Sequence, residues 1–132
     1  MAMPAEILVL ALGTALLMFH ISLQGLLATA ELGSKWNAGP RDENLRPKGV
    51  LAGRAERALH NYLETFPALV ALALALVVLN KADGLGATGA WIWLAARLVY
   101  IPLYIMGIPY IRSLVWVIAA IGLTVMFIAL FL

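Results

Sequence analysis

Polar side chains recur at helical spacing in two otherwise apolar segments. In the first segment, Arg57, Asn61 and Glu64 occupy positions i, i+4 and i+7, which lie on one face of an α-helix. A guanidinium binds a carboxylate through two parallel hydrogen bonds, and a carboxylate binds an ammonium group. This face therefore has the chemistry to hold a small zwitterionic or anionic molecule.

The second polar segment carries Arg97, Tyr100 and Tyr104 at positions i, i+3 and i+7. A phenol on this face can donate a hydrogen bond to an oxygen or a thiolate. Helical rise places Glu64 and Arg97 at similar depths, about 13–15 Å from the same membrane surface. If the two helices are neighbours, their polar faces form a ladder that opens toward that surface.

The spacing leaves two interpretations open, because an ionisable group inside a bilayer costs at least about 2.5 kcal/mol and is normally paired. One interpretation is an internal network in which Arg97 neutralises Glu64 and no ligand binds. The other is a ligand pocket, with Arg57 gripping a carboxylate and Glu64 holding an ammonium group. Arg112 is either an anchor at the membrane surface or a further ligand-binding residue.

The elements that position these residues follow from the composition. The chain has 132 residues, of which 64% are hydrophobic and 12% are charged. Soluble globular domains are only about 45–50% apolar, so a soluble fold is excluded. A membrane span needs about 20 apolar residues, which leaves room for four spans and no second domain. We therefore predict one all-α domain over residues 1–132, a bundle of four transmembrane helices.

Breaks in the apolar pattern give the helix boundaries. The first helix has no basic residue before it and is longer than a signal-peptide core, so we expect it to be retained. The long polar connection is rich in glycine, proline and charged residues. The predicted helices span about 5–30, 55–80, 89–106 and 113–132, and the loop spans about 31–54.

Basic residues are unevenly distributed over the connections, and this predicts the orientation. Six of them lie on or beside the first connection, Arg112 lies on the third, and only Lys81 lies on the second. Connections one and three are therefore expected in the cytoplasm, with both termini outside.

Charge and residue content exclude several other functions. The net charge of +2 is too small to indicate a nucleic-acid surface. The chain has no cysteine, which removes disulfides, thiolate metal sites and a cysteine nucleophile. His20 and His60 have no metal-ligand spacing, so no metal is expected.

The segment ERALHNYLETFP, residues 56–67, resembles a motif of the MAPEG family, the membrane-associated proteins in eicosanoid and glutathione metabolism. The segment ARLVY, residues 96–100, with Tyr104 is similar to that family's third-helix pattern. The loop NAGPRD, residues 37–42, and GIPYIRS, residues 107–113, resemble a bacterial branch. The resemblance covers nearly the whole chain and is to a bacterial-type member similar to microsomal glutathione transferase.

This resemblance implies a homotrimer in a bacterial inner membrane, with glutathione as cosubstrate at each subunit interface. It implies that glutathione is conjugated to hydrophobic electrophiles, or reduces lipid peroxides, that arrive from the bilayer. Where some members carry a basic residue at the end of helix 1, this chain reads LATAE, residues 27–31; Arg112 is the candidate to activate the thiolate instead. The implied glutathione-binding residues are Arg57, Asn61, Glu64, Arg97, Tyr100 and Tyr104.

Two alternatives come from other classes of protein. One is a membrane protein without catalytic activity that binds a lipid or another anion, or whose polar ladder is purely structural. The other is a small four-helix multidrug exporter, which requires a membrane-embedded carboxylate on helix 1. Glu6 lies at the end of that helix, and Glu64 lies on helix 2, so the exporter fits least well.

Overall fold

The computed structural model describes residues 2–132, in which all regular secondary structure is helical. Four of the helices are long and apolar enough to cross a membrane. The chain is therefore an all-α integral membrane protein, and the predicted bundle of four spans is confirmed. The helices are α1 (Ala5–Leu32), the short α2 (Ser34–Ala38), α3 (Val50–Val78), α4 (Leu85–Ile105) and α5 (Pro109–Ala129).

Helices α3, α4 and α5 begin several residues before their predicted positions. Helix α5 begins at Pro109, which takes the first helical position, where its missing N–H costs nothing. The predicted loop of about 31–54 is also shorter, because α1 continues to Leu32 and α3 already begins at Val50. The short helix α2 forms in the part of this connection that follows Gly33.

A single carboxylate binds the backbone just before α3. Glu31, at the end of α1, accepts hydrogen bonds from the backbone N–H groups of Lys48 (2.9 Å) and Gly49 (2.6 Å) through Oε1. The first amides of a helix have no partner inside the helix, and a negative charge near them is favourable. Glu31 thus joins the end of α1 to the start of α3 and closes the intervening loop.

Helix α4 packs most extensively on α5, and α1 packs mainly on α3. Two glycines allow the backbones of α4 and α5 to touch. A Cβ atom on Gly122 would lie 2.6 Å from the carbonyl oxygen of Gly89 and 2.8 Å from the backbone nitrogen of Trp93. Small residues at such a crossing permit the close backbone approach that stabilises helix pairs in membranes.

Tyr62 on α3 connects three helices at the centre of the bundle. Its ring centroid lies 4.8 Å from that of His20 on α1, 5.4 Å from Phe66 and 5.5 Å from Trp93 on α4. Its hydroxyl donates a hydrogen bond to the backbone carbonyl of Gly13 on α1. Tyr62 therefore anchors the buried side of α3 at the same turns of the helix that carry its polar residues.

The end of the bundle that contains the α3–α4 turn is fastened by buried polar contacts. Glu6 is fully buried and accepts hydrogen bonds from the backbone N–H of Asp83 (3.0 and 3.2 Å). Asp83 Oδ1 in turn accepts from the N–H of Ala5 (2.8 Å), the first residue of α1. Lys81 Nζ donates to the carbonyl of Leu130 (2.6 Å). This turn therefore holds the start of α1 and the region just after α5.

Candidate functional site

The polar residues of α3 lie beside its buried face. Ala58 and Tyr62 point into the bundle and are buried, whereas Arg57 and Glu64 are exposed and Asn61 is partly buried. The helical period that places small and aromatic residues against α1 and α4 leaves the charged residues at the outer edge of that contact. The predicted stripe of three polar side chains therefore flanks an open space.

That space is a cavity of about 530 Å³. Small-molecule sites commonly measure about 300–1,000 Å³, so the volume suits a ligand of metabolite size. Three arginines and two glutamates give its wall both signs of charge. The lining residues are Arg46, Glu56, Arg57, His60, Asn61, Glu64, Tyr100, Tyr104 and Arg112.

Helices α4 and α5 complete the wall opposite α3. Arg57 Nε donates a hydrogen bond to Tyr104 Oη at 3.2 Å, and the rings of Tyr100 and Tyr104 lie 5.5 Å apart. The Arg112 guanidinium on α5 lies 4.7 Å from the centroid of the Tyr104 ring, a cation–π contact. The structure thus brings five of the six predicted ligand-binding residues together with Arg112.

The sixth predicted residue, Arg97, lies behind the cavity wall. It is only 1% exposed, and its Nη1 donates to Asn61 Oδ1 at 2.8 Å. Its guanidinium packs against the rings of Tyr62 (5.2 Å) and Tyr100 (4.5 Å). Arg97 Nε and Nη2 have no hydrogen-bond partner within residues 2–132.

Arg97 makes no hydrogen bond to Glu64, the partner that the internal-network interpretation gives it. Within residues 2–132 Arg97 points into the bundle and donates its one hydrogen bond to Asn61, whereas Glu64 lies on the exposed side of α3. The internal network thus lacks a direct contact between its two charges in the described residues, and the Glu64 carboxylate lines the cavity.

Three lining residues were not predicted as site residues. Glu56 and His60 lie four residues apart on α3 and widen the stripe of Arg57 and Asn61 by one position. The helical period alone would have included them. Arg46 comes from the loop before α3, and in the sequence only its charge distinguishes it.

A second, smaller cavity of about 270 Å³ adjoins the first. It shares three lining residues with the first cavity and adds Trp116 and Val117 of α5 to its wall. The lining residues are Asn61, Tyr100, Arg112, Ser113, Trp116 and Val117. Asn61, Tyr100 and Arg112 therefore lie where a charged space meets a more apolar one.

The part of the chain that the structure describes has no candidate metal site. Within residues 2–132, no three side chains of His, Cys, Asp or Glu are grouped so that they could hold a metal ion. What the cavity offers instead is positive charge, carboxylates and phenols.

Four membrane-spanning helices with a charged cavity between α3, α4 and α5 define an integral membrane protein with a polar ligand-sized site. The sequence pattern of the MAPEG family matches residues 8–132, nearly the whole chain, so the chain belongs to that family. The resemblance seen in the sequence is thereby confirmed at the level of the family. Neither the comparison with curated proteins nor the comparison with solved structures gives a match.

Proposed function

We propose that this protein binds glutathione in the larger cavity and uses its thiol on hydrophobic substrates. The observation that carries the proposal is the convergence of Arg57, Asn61, Glu64, Tyr100 and Tyr104 on one cavity in a chain of the MAPEG family. Glutathione carries two carboxylates, one ammonium group and a thiol. Arginines suit the carboxylates, and glutamate suits the ammonium group.

Arg112 is the residue we propose to stabilise the thiolate. It lines both cavities and comes from α5, so its charge lies where the polar and the more apolar spaces meet. A nearby cation favours the thiolate over the thiol, and the thiolate is the nucleophile. Attack on an electrophilic carbon forms the C–S bond of a thioether as the leaving group departs from that carbon. Attack on a lipid hydroperoxide breaks its O–O bond and gives an alcohol and the sulfenic acid of glutathione, which a second glutathione converts to the disulfide with release of water.

The hydrophobic substrate is expected to reach the thiolate through the smaller cavity. Trp116 and Val117 give that cavity apolar walls on a membrane-spanning helix. A substrate dissolved in the bilayer can enter there without crossing water. This supports hydrophobic electrophiles or lipid peroxides as the substrate class.

The arrangement of charge also supports a homotrimer with the site between subunits. Glu64 is exposed on a helix that is long enough to cross the membrane. An ionisable side chain facing lipid is costly, so a neighbouring subunit that covers α3 would remove this cost. We further propose a bacterial inner membrane, with the α1–α3 loop and the α4–α5 turn in the cytoplasm, because most basic residues lie on or beside these two connections.

Calorimetric titration of reduced glutathione into the detergent-purified protein tests the proposed ligand. We expect saturable binding that is lost in Arg57→Ala. Lys48→Ala is the matched control, because Lys48 carries the same charge on the exposed loop and does not line the cavity. Absence of binding by the folded wild type, or equal binding by Arg57→Ala, contradicts the proposal and favours a lipid, another anion or a structural role.

Turnover is tested separately with an aryl halide electrophile, by measuring thioether formation. We expect Arg112→Ala to keep glutathione binding within a few-fold and to lose at least about 90% of kcat, since a thiolate-stabilising charge contributes mainly in the reaction. Binding by the wild type without any turnover of electrophiles or lipid peroxides would support the non-catalytic alternative.

A further inference from the structure

Asn61 has a fixed orientation because of the residue behind it. Arg97 Nη1 lies 2.8 Å from Asn61 Oδ1, and a guanidinium has donors but no acceptor. The carbonyl oxygen of the Asn61 side chain must therefore face Arg97. The two amide N–H groups are left for the cavity that Asn61 lines.

Tyr104 is also oriented as a hydrogen-bond donor, by a different arginine. Arg57 Nε donates to Tyr104 Oη at 3.2 Å, so the phenolic oxygen is the acceptor in this contact. The hydroxyl hydrogen of Tyr104 is then free to donate into the cavity, which Tyr104 also lines. Two groups that could each act as donor or acceptor are thus both left as donors.

We propose that Arg97 and Arg57 set Asn61 and Tyr104 as hydrogen-bond donors, so that the ligand group they contact is a hydrogen-bond acceptor, such as a carboxylate or a thiolate. Arg97 is a positioning residue in this arrangement, because it does not line the cavity and reaches it through Asn61, to which it donates, while Tyr100 packs against the same guanidinium. The inference rests on the proposed function, since it names the chemistry that the same cavity recognises.

The burial of Arg97 supports an indirect role. At 1% exposure, with no place in the cavity lining, its guanidinium cannot touch a ligand there. It makes one hydrogen bond, while Nε and Nη2 have no partner within the described residues 2–132. A buried charge with so few partners is a poor source of stability. Its position against Asn61 explains its presence better than the stability of the bundle does.

A double-mutant cycle separates an indirect effect from a direct one. Glutathione affinity is measured by calorimetry for the wild type, Arg97→Met, Asn61→Ala and the double variant, each shown to be folded by circular dichroism and gel filtration. Replacing Arg97 by Met should weaken binding about tenfold in the wild type, the effect of one lost oriented hydrogen bond. In the Asn61→Ala background the same replacement should change affinity by less than about twofold, within the error of additivity.

Equal weakening by Arg97→Met in both backgrounds would overturn the inference, because Arg97 would then act independently of Asn61. That outcome leaves the proposed function standing, since the wild type still binds. Lack of glutathione binding by the folded wild type is the failure of the proposed function instead, and the orientation of Asn61 is then decided without a ligand.

Nuclear magnetic resonance on protein with ¹⁵N-labelled asparagine provides that ligand-free measurement. The side-chain amide signals of Asn61 are assigned by their loss in Asn61→Ala. Asn37 serves as an internal reference, because its Oδ1 also accepts from an arginine, Arg41 at 2.7 Å, on the exposed loop.

A water-soluble paramagnetic reagent should broaden the Asn61 amide signals more strongly in the wild type, where both N–H groups face the cavity, than in Arg97→Met, where the amide loses its fixed orientation. Equal broadening of the Asn61 amide signals in the wild type and in Arg97→Met, with the Asn37 signals as the common scale, would show that Arg97 does not orient the amide and would overturn the inference.

Discussion

Arg54 on α3 donates a hydrogen bond from Nη1 to the backbone carbonyl of Ile105, the last residue of α4, at 2.8 Å. The next turn passes through Gly107 at φ 74°, where a Cβ atom would lie 2.6 Å from Arg54 Nη2. One side chain therefore satisfies a free carbonyl at the helix end and fills the space beside the turn. The α4–α5 turn that precedes Arg112 is built on this contact.

Replacing Arg54 by Ala should lower the free energy of unfolding by about 1–2 kcal/mol, since a charge-assisted hydrogen bond to a helix end is lost. Chemical denaturation in detergent measures this change. Arg41→Ala is the control, because Arg41 is exposed and bonds only within its own loop. A loss of stability no larger than that of the control would contradict the importance of the contact.

Gly122→Ala should destabilise the protein by about 1–3 kcal/mol, because the new methyl group meets the backbone of α4 and forces the helices apart. Gly25→Ala is the matched control in α1: apart from the adjacent residues and the backbone of its own helix, no atom lies within 4 Å of its Cβ position, so it should gain about 0.5–1 kcal/mol of helix propensity. Thermal unfolding of the two variants should therefore shift in opposite directions. Shifts of the same sign would speak against a tight α4–α5 crossing.

Tyr104→Phe should weaken glutathione binding by about three- to tenfold, because the hydroxyl that Arg57 holds is removed while the ring remains. Tyr110→Phe provides the control, since Tyr110 is 88% exposed and lies outside the cavity. Calorimetric titration distinguishes the two variants. Unchanged affinity in Tyr104→Phe would remove that hydroxyl from the site.

Most of the architecture and much of the site could be predicted from sequence, for reasons particular to membrane proteins. A span of fixed length makes hydropathy a direct measure of helix number. Polar residues inside a span are so costly that Arg57, Asn61, Glu64, Tyr100 and Tyr104 stand out against their apolar background. The helical period then places them on shared faces, and the cavity in the structure has these five on its wall.

The role of Arg97 could not be derived in the same way. Period and depth place Arg97 level with Glu64, but they do not fix the rotation of α4 about its axis relative to α3. The packing around Tyr62 and Tyr100 turns the guanidinium inward, and Asn61 rather than Glu64 becomes its partner. The start of α3 could likewise not be placed from local sequence, because Glu31, at the far end of the loop, binds the two backbone amides just before it.

Glu31→Ala should destabilise the protein by about 1–2 kcal/mol, because two backbone N–H groups at the start of α3 lose their acceptor. Glu43→Ala, on the exposed part of the same loop, should change stability by less than about 0.5 kcal/mol. Denaturant unfolding of both variants makes the comparison. Equal effects would mean that the loop, rather than the carboxylate, holds the two helices together.

Because Glu31 closes the loop between α1 and α3, the arrangement of the four spans does not depend on the length of that loop. Packing between α1 and α3, together with the Glu31 contact, holds the two helices at their distance, so the segment between them does not set this spacing. Loop closure entropy grows slowly with length. The tip near Asp42 is therefore a place where an epitope or a fluorescent domain can be inserted while the spans keep their arrangement.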